Sequence, residues 1–325
     1  MSRHVISVPT VKDDDSGYYK ILKIAREVLD NPKRHFDFDF SACSKIEHNA
    51  VVVLGALARY VDYQNTLSTR VFSGMIGTKA FASAGVMFRV NTMSEVVFDH
   101  LLENSFLSHF SSGYGEDYPS GGYIGYREHN NLLDADNIAE HLQEEWLSAD
   151  KLSLSALLKS AVVSRIFEIF MNAYGHGVSI QNIDKLGVYS CGQYDKKEKK
   201  LNISVLDFGP GIVSNVLSLR SDLSDSLSAM KWALVRGNST RTDSKIAEMP
   251  RGLGFDLLNE FVCINEGELR IYSNDVSVIS SKPSGFVVQK SKIPFDGTLV
   301  SININCDDRH YQFASENASS TKKYF

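Results

Sequence analysis

The first 93 residues alternate short runs of β type with amphipathic helical runs. HVISVPT and HFDFDFSAC are typical of strands, and the second alternates strictly between apolar and polar positions. YYKILKIAREVL and EHNAVVVLGALARYVDY are typical of helices, and the pattern predicts a further strand at STRVFSGMI and a further helix at KAFASAGVMFRVN. Because strands and helices alternate in this way, residues 1–93 are predicted to form a small α/β domain.

The hydrophobic periodicity weakens over residues 94–150. Gly113, Gly115, Pro119, Gly121 and Gly122 stand among several tyrosines in the middle of this stretch. Glycine and proline at this density are typical of an extended loop. We therefore predict connecting helices and a loop over 94–150, and we place the domain junction there.

A second pattern of helices and strands begins after residue 150. SLSALLKSAVVSRIFEIFMNAYGHG predicts a long helix, and the strands around YSCGQYD and LNISVLDF are joined by the charged turn KKEKK, which we interpret as an exposed hairpin tip. A loop is predicted over 210–249, then a helix at RGLGFDLLNEFVCIN and strands at GELRIYSN, GFVVQKSKI and GTLVSININ. The pattern predicts a second domain over 151–308, followed by a frayed polar tail over 309–325.

Composition narrows the class of protein. The chain has 325 residues, 43% of them hydrophobic, which is enough for a large core and favours two domains. Its net charge of -5 gives no reason to expect direct binding of nucleic acid or an anionic membrane. No apolar stretch is long enough for a signal peptide or a membrane span, so we expect a cytoplasmic protein. The separated cysteines are predicted to be reduced and to hold no zinc.

Three short motifs in the second domain carry candidate chemistry. The first is Glu168, Asn172 and His176, spaced by four so that they share one face of the predicted helix. Their neighbours Ile166 and Phe170 are apolar, which leaves little of the helix for water, although a solvent-facing polar stripe would have the same spacing.

The second motif is Asp207, Gly209 and Gly211 at the end of an alternating strand. A carboxylate there can accept the exocyclic amine of adenine, and glycines let backbone approach a flat ring, but a tight turn after a strand uses the same residues. The third motif opens the helix that follows the loop, and its glycines are suited to a phosphate site at a helix start or to an ordinary loop. It consists of Arg251, Gly252, Leu253 and Gly254.

Taken together, E-x-x-x-N-A-x-x-H, D-x-G-x-G and R-G-x-G-F resemble the N, G1 and G2 boxes of the GHKL ATPase superfamily. This superfamily includes gyrases, heat-shock chaperones, histidine kinases and mismatch-repair ATPases. The likeness covers roughly residues 152–305 and extends to Gly297-Thr298 on the last strand. It implies an α/β chain in which the second domain has the Bergerat-type ATP-binding fold, an α+β two-layer sandwich.

The resemblance also implies a role for each matching residue. Asn172 would be an oxygen ligand of Mg²⁺ and Glu168 would orient or deprotonate the attacking water or acceptor hydroxyl. Asp207 would bind adenine. The remaining cofactor-binding residues that the resemblance implies for ATP are His176, Gly209, Gly211, Arg251, Gly252, Leu253, Gly254 and Thr298. Residues 212–250 match the mobile ATP lid, in which Ser239, Thr240 and Arg241 are placed to touch phosphate.

The first domain resembles STAS domains, small α/β modules of anti-sigma-factor antagonists. FDFSACSKIEHNAVVVLGAL is similar to their strand, turn and helix, and Ser41 and Ser44 lie near that turn, where such domains often carry a phosphorylated side chain. An unrelated small α/β module would give the same pattern.

These resemblances lead to three functional hypotheses. The first is an ATP-hydrolysing regulatory switch that binds ATP and ADP and acts on a protein partner. The second is a serine protein kinase of the anti-sigma type that acts on a STAS-like module. The third is a nucleotide-gated interaction module without catalysis. The partner is not identified by the sequence, and a homodimer is left open because some relatives dimerise and others act as monomers.

Overall fold

The computed structural model describes residues 3–31, 34–72, 85–110, 123–129, 135–174, 186–238, 254–283 and 285–316. The first module contains a three-stranded sheet in the order β1-β2-β3, with both strand pairs parallel. Its elements are β1 (His4–Ser7), α1 (Asp15–Leu29), β2 (Phe36–Asp39), α2 (His48–Phe72) and β3 (Val86–Phe88). The first two predicted strands and the first two predicted helices are present as β1, β2, α1 and α2. The prediction is therefore confirmed up to residue 63.

Local sequence explains how the two helices begin and what they bury. The Asp14 side chain caps α1 by accepting a hydrogen bond from the Gly17 N–H at 2.8 Å. One face of α1 is buried, as is the apolar first half of α2, where Val51, Leu54 and Leu57 have no exposed surface. A helix that is apolar on all sides requires cover on all sides.

Two predictions at the end of this module are wrong. The strand predicted over 68–76 is helical up to Phe72, because α2 continues as one long helix, and 73–76 lie outside the described residues. The helix predicted over 79–91 contains strand β3 instead, with 79–84 outside the described residues. A short apolar run such as Val86–Phe88 does not distinguish a buried strand from a helix by periodicity.

The second module is built on a five-stranded antiparallel sheet in the order β4-β6-β7-β9-β8. The strands are β4 (Tyr123–His129), β6 (Val188–Asp195), β7 (Lys200–Asp207), β8 (Glu268–Ser281) and β9 (Gly285–Asn305). The exposed turn at 196–199 joins β6 to β7, which confirms the predicted hairpin tip. Strand β4 lies in the stretch predicted as connecting helices and loop, so that stretch contributes an edge strand to the sheet.

Seven further α-helices follow α2 in the described part of the chain. They are α3 (Glu95–Glu103), α4 (Phe106–Phe110), α5 (Ala135–Glu140), α6 (Ala156–Asn172), α7 (Ile212–Leu219), α8 (Ser226–Leu234) and α9 (Gly254–Asn265). A 3-10 turn precedes α3 at Val90–Thr92, and α5 continues as a π-helix over His141–Trp146. The loop predicted over 210–249 is wrong in its described part, because α7 and α8 occupy it. Asp225 starts α8 by accepting a hydrogen bond from the Ser228 N–H at 2.9 Å.

The five-stranded sheet is covered on both faces. Helix α1 packs on β9, and α2 packs on β6 and β7, so the first module covers one face. The other face packs against α6 and α9, through side chains such as Val205, Ile271 and Val300. The molecule is therefore a mixed α/β structure in which α2 lies against the central strand β7.

The tail prediction is wrong over its first residues. Strand β10 (His310–Tyr311) pairs in parallel with β5 (Ser153–Leu154), and Tyr311 is buried, whereas 317–325 lie outside the described residues. The pairing joins the end of the second module to the segment just before α6. Cys43, Cys191, Cys263 and Cys306 are free thiols, as predicted. Among the described helices, none combines the length and the apolar character needed to cross a membrane.

Candidate functional site

Asp207 is the last residue of the central strand β7 and lies opposite Thr298 of β9. Its side chain is buried with 8% exposure, and its Oδ1 accepts a hydrogen bond from the Gly209 N–H at 2.7 Å. Burial raises the pKa of Asp207 to about 7, against the opposing effect of hydrogen bonds from Gly209 and Thr298. A buried carboxylate in this position is stabilised by any further hydrogen-bond donor that a ligand supplies.

The loop after Asp207 is held by two residues of β8. Gly211 is the N-cap residue of α7; it has φ 82° and provides no side-chain cap. Ser273 Oγ accepts a hydrogen bond from the Ile212 N–H at 2.8 Å, and Asn274 Nδ2 donates to the Pro210 carbonyl oxygen at 2.9 Å. A side chain at Gly211 would overlap the Asn274 amide. The first turn of α7 is therefore capped by a neighbouring strand.

Asn274 can reach this loop because β8 is irregular at that point. The register of β8 against β9 shifts on both sides of Asn274, and Asn274 itself has φ 55°. Asparagine tolerates this left-handed conformation better than most residues, and a bulge re-aims a side chain. Asn274 also donates to Ser214 Oγ at 3.0 Å, so it joins β8 to the first turn of α7.

Helix α6 brings Glu168 and Asn172 to the same cavity as Asp207. Ser155 caps its first turn, and the helix ends at Asn172, whose side chain is exposed. Glu168 lies one turn earlier on the same face and forms an ion pair with Arg165, at 3.1 Å between Glu168 Oε2 and Arg165 Nη1. The predicted i, i+4 spacing therefore places an amide and a carboxylate side by side at the end of α6.

A cavity with about 1080 Å³ of empty space, part of it open to solvent, lies between α6, the end of β7, α7, α8 and the start of α9. Apolar and polar side chains line it together, which is typical of a ligand site. Five of the predicted site residues line it, from four different parts of the chain. These are Glu168, Asn172, Asp207, Gly211 and Thr298.

The other predicted site residues divide into two groups. Gly209 is placed in the loop, where its N–H binds Asp207, and Gly254 begins α9, whose next residues Phe255 and Asp256 line the cavity. The remaining predictions lie outside the described residues. They are His176, Ser239, Thr240, Arg241, Arg251, Gly252 and Leu253.

Several cavity residues were missed by the sequence analysis. Asn215 of α7 and Trp232 of α8 line the cavity, and both belong to a region that was predicted as loop. Arg165 also lines it, and its position one turn before Glu168 was a signal that the sequence did offer. Ser273 and Asn274 support the site by holding the loop after Asp207. This role follows from the irregular register of β8 and has no signal in the sequence.

A divalent ion in this cavity would need oxygen ligands other than a cluster of carboxylates. Within the described ranges, no three His, Cys, Asp or Glu side chains are grouped so that they could hold a metal ion. The exposed Asn172 amide is one oxygen donor of the kind that Mg²⁺ takes, and Mg²⁺ commonly completes its shell with water and substrate phosphate.

Comparison with protein-family models found no matching family, and comparison with curated proteins found no matching protein.

Proposed function

We propose that the chain binds ATP with Mg²⁺ in this cavity and hydrolyses it as a nucleotide-driven regulatory switch, on a Bergerat-type fold of the GHKL class. The observation that carries the proposal is the convergence of Asp207, from the end of the central strand, with Glu168 and Asn172, from α6, on one cavity.

Each residue has a chemical role that its surroundings suit. The buried Asp207 carboxylate would accept the exocyclic amine of adenine, which compensates part of its desolvation. Asn172 would hold Mg²⁺, which when bound neutralises phosphate charge. Glu168 lies one turn from Asn172 and would orient the attacking water and take its proton.

The switch hypothesis is supported by a contact between the loop and the first module. Phe208 stands between Asp207 and Gly209, and its ring lies 5.1 Å from the ring of Tyr60 on α2, measured between centroids. Successive residues at a strand end point to opposite faces, so Asp207 faces the cavity while Phe208 faces the first module. A change in the loop on nucleotide binding would therefore reach α2 directly.

Phosphate transfer within one chain to Ser41 or Ser44 has less support. Both serines are exposed, but the neighbouring Lys45 interacts electrostatically with Asp195 and Glu198 at the tip of the β6–β7 hairpin. Asp207 is at the opposite end of β7, seven residues from the tip, or about 23 Å at roughly 3.3 Å per residue. A kinase reaction would have to act on another molecule.

The proposal is tested by binding first and turnover second. Mg²⁺ and the non-hydrolysable analogue AMP-PNP should raise the melting temperature of the purified chain, because a ligand of the native state stabilises it. With ATP, phosphate should be released. Glu168→Ala should keep AMP-PNP binding and lose phosphate release, whereas Glu260→Ala, an exposed position on α9, should behave as the wild type. Unchanged melting with AMP-PNP, or equal turnover in Glu168→Ala, would overturn the proposal.

A further inference from the structure

Arg165 is a cavity residue to which the proposed function gives no role. Its side chain is 19% exposed, and Nη1 donates to Glu168 Oε2 at 3.1 Å. Its Nε is buried without a hydrogen-bond partner among the described residues. A guanidinium carries five N–H donors, so the pairing with Glu168 uses only part of its capacity. The guanidinium donors that Glu168 does not use can bind an anionic ligand once a change of rotamer turns them toward it.

The charges around the cavity make this availability important. Among the described residues that line it, Arg165 is the only cation, and Glu168, Asp207 and Asp256 are acidic. A triphosphate brings several more negative charges into the same space. Arginine binds phosphate oxygens in a planar, bidentate manner, which makes it better suited to this task than a point charge. Within the described lining, Arg165 alone offers compensation from a side chain.

The position of Arg165 on α6 allows it to serve both groups. Arg165 precedes Asn172 by seven residues, about 10.5 Å along a helix axis at roughly 1.5 Å per residue, and Glu168 lies between them. Residues three and four apart on a helix are neighbours on its surface. A terminal phosphate beside Glu168 is therefore within reach of Arg165 after a change of side-chain rotamer.

On the basis of the proposed function, we propose that Arg165 is a phosphate-binding residue shared between Glu168 and the terminal phosphate of ATP. Without nucleotide, Arg165 holds the Glu168 carboxylate. When the triphosphate enters, it draws the guanidinium away, and Glu168 becomes available to water. The ion pair thus makes the carboxylate available only in a filled site, and Arg165 makes the site prefer triphosphate over the bare nucleoside.

Calorimetric titration with AMP-PNP and Mg²⁺, and separately with adenosine, tests the phosphate contact. Arg165→Gln should weaken AMP-PNP binding about tenfold or more and leave adenosine binding within about twofold, with Arg165→Lys intermediate. Arg127→Gln is the matched control, because Arg127 also pairs with one carboxylate, Glu145, and lies outside the cavity. An equal loss of affinity for both ligands, or no loss of affinity for AMP-PNP, would overturn the assignment. Circular dichroism would show that each variant is folded.

A double-mutant cycle tests the sharing. Glu168→Gln releases Arg165, so it should tighten AMP-PNP binding several-fold in the wild-type background and not in the Arg165→Gln background. An equal gain in both backgrounds would mean that relief of charge repulsion alone is responsible, and sharing would be refuted. If the wild type binds no AMP-PNP, the proposed function itself fails. Binding by the wild type that Arg165→Gln leaves unchanged would refute this inference alone.

Discussion

Asp207→Asn removes a buried carboxylate that lines the cavity. In the folded chain its pKa is raised from 3.8 to about 7, and burial is the main cause. In the unfolded chain the same group loses its proton near its ordinary value. Between these two values the folded state binds the extra proton, so this group's contribution to stability is complete below about pH 4 and is lost as the pH rises through 7.

The magnitude follows from the width of that interval. Each pH unit in which only the folded state holds the proton is worth about 1.36 kcal/mol. Between pH 5 and pH 8 the difference applies over about two units, up to the folded pKa near 7, so the wild type loses about 2.7 kcal/mol through this one group. Because asparagine does not titrate, the variant does not lose this part of the unfolding free energy as the pH rises. The fold therefore gives up stability at neutral pH by keeping this acid buried.

The assay is urea unfolding of the wild type and Asp207→Asn at pH 5 and pH 8 and at equal ionic strength. The unfolding free energy of the variant, relative to the wild type, should rise by about 2.7 kcal/mol between the two values. Asn215→Ala is the matched control, since Asn215 lines the same cavity with a side chain that does not titrate, and its effect should be alike at both pH values. An Asp207→Asn effect that does not change with pH would refute the reasoning.

Three further substitutions test other parts of the structure. Asn274→Gly keeps the left-handed backbone but removes the hydrogen bonds to Pro210 and Ser214. It should weaken AMP-PNP binding about tenfold in calorimetry, as expected for two hydrogen bonds of roughly 0.7 kcal/mol each, and unchanged affinity would contradict its role. Gly297→Ala places a Cβ against the Asp207 carbonyl oxygen at φ 136°, and should lower the melting temperature and AMP-PNP affinity together; a neutral result would contradict the close packing. Tyr311→Ala should cost about 3 kcal/mol in urea unfolding because a buried ring is lost, whereas a frayed tail would show no effect.

Local sequence was enough to predict the elements with a strong hydrophobic period and the chemistry of the motifs. The alternation in LNISVLDF predicted β7 and its end at Asp207, and the spacing of Glu168 and Asn172 predicted their common face, because both periods are properties of the local backbone. The segments that failed were those whose state depends on distant partners. Residues 123–129 form a strand only because β6 lies beside them, and Val86–Phe88 pair with β2.

The residues that support the site depend on contacts between segments that are remote in the chain. Asn274 reaches the glycine loop because β8 is irregular beside β9, and no local pattern records that register. Arg165 has the spacing of an ordinary helical ion pair, and its importance appears only when α6, α7 and α8 enclose one cavity around it. Local sequence sets the periodicity of each helix or strand and the chemistry of its side chains. Which remote segments come together depends on tertiary packing, and local patterns along the chain do not encode it.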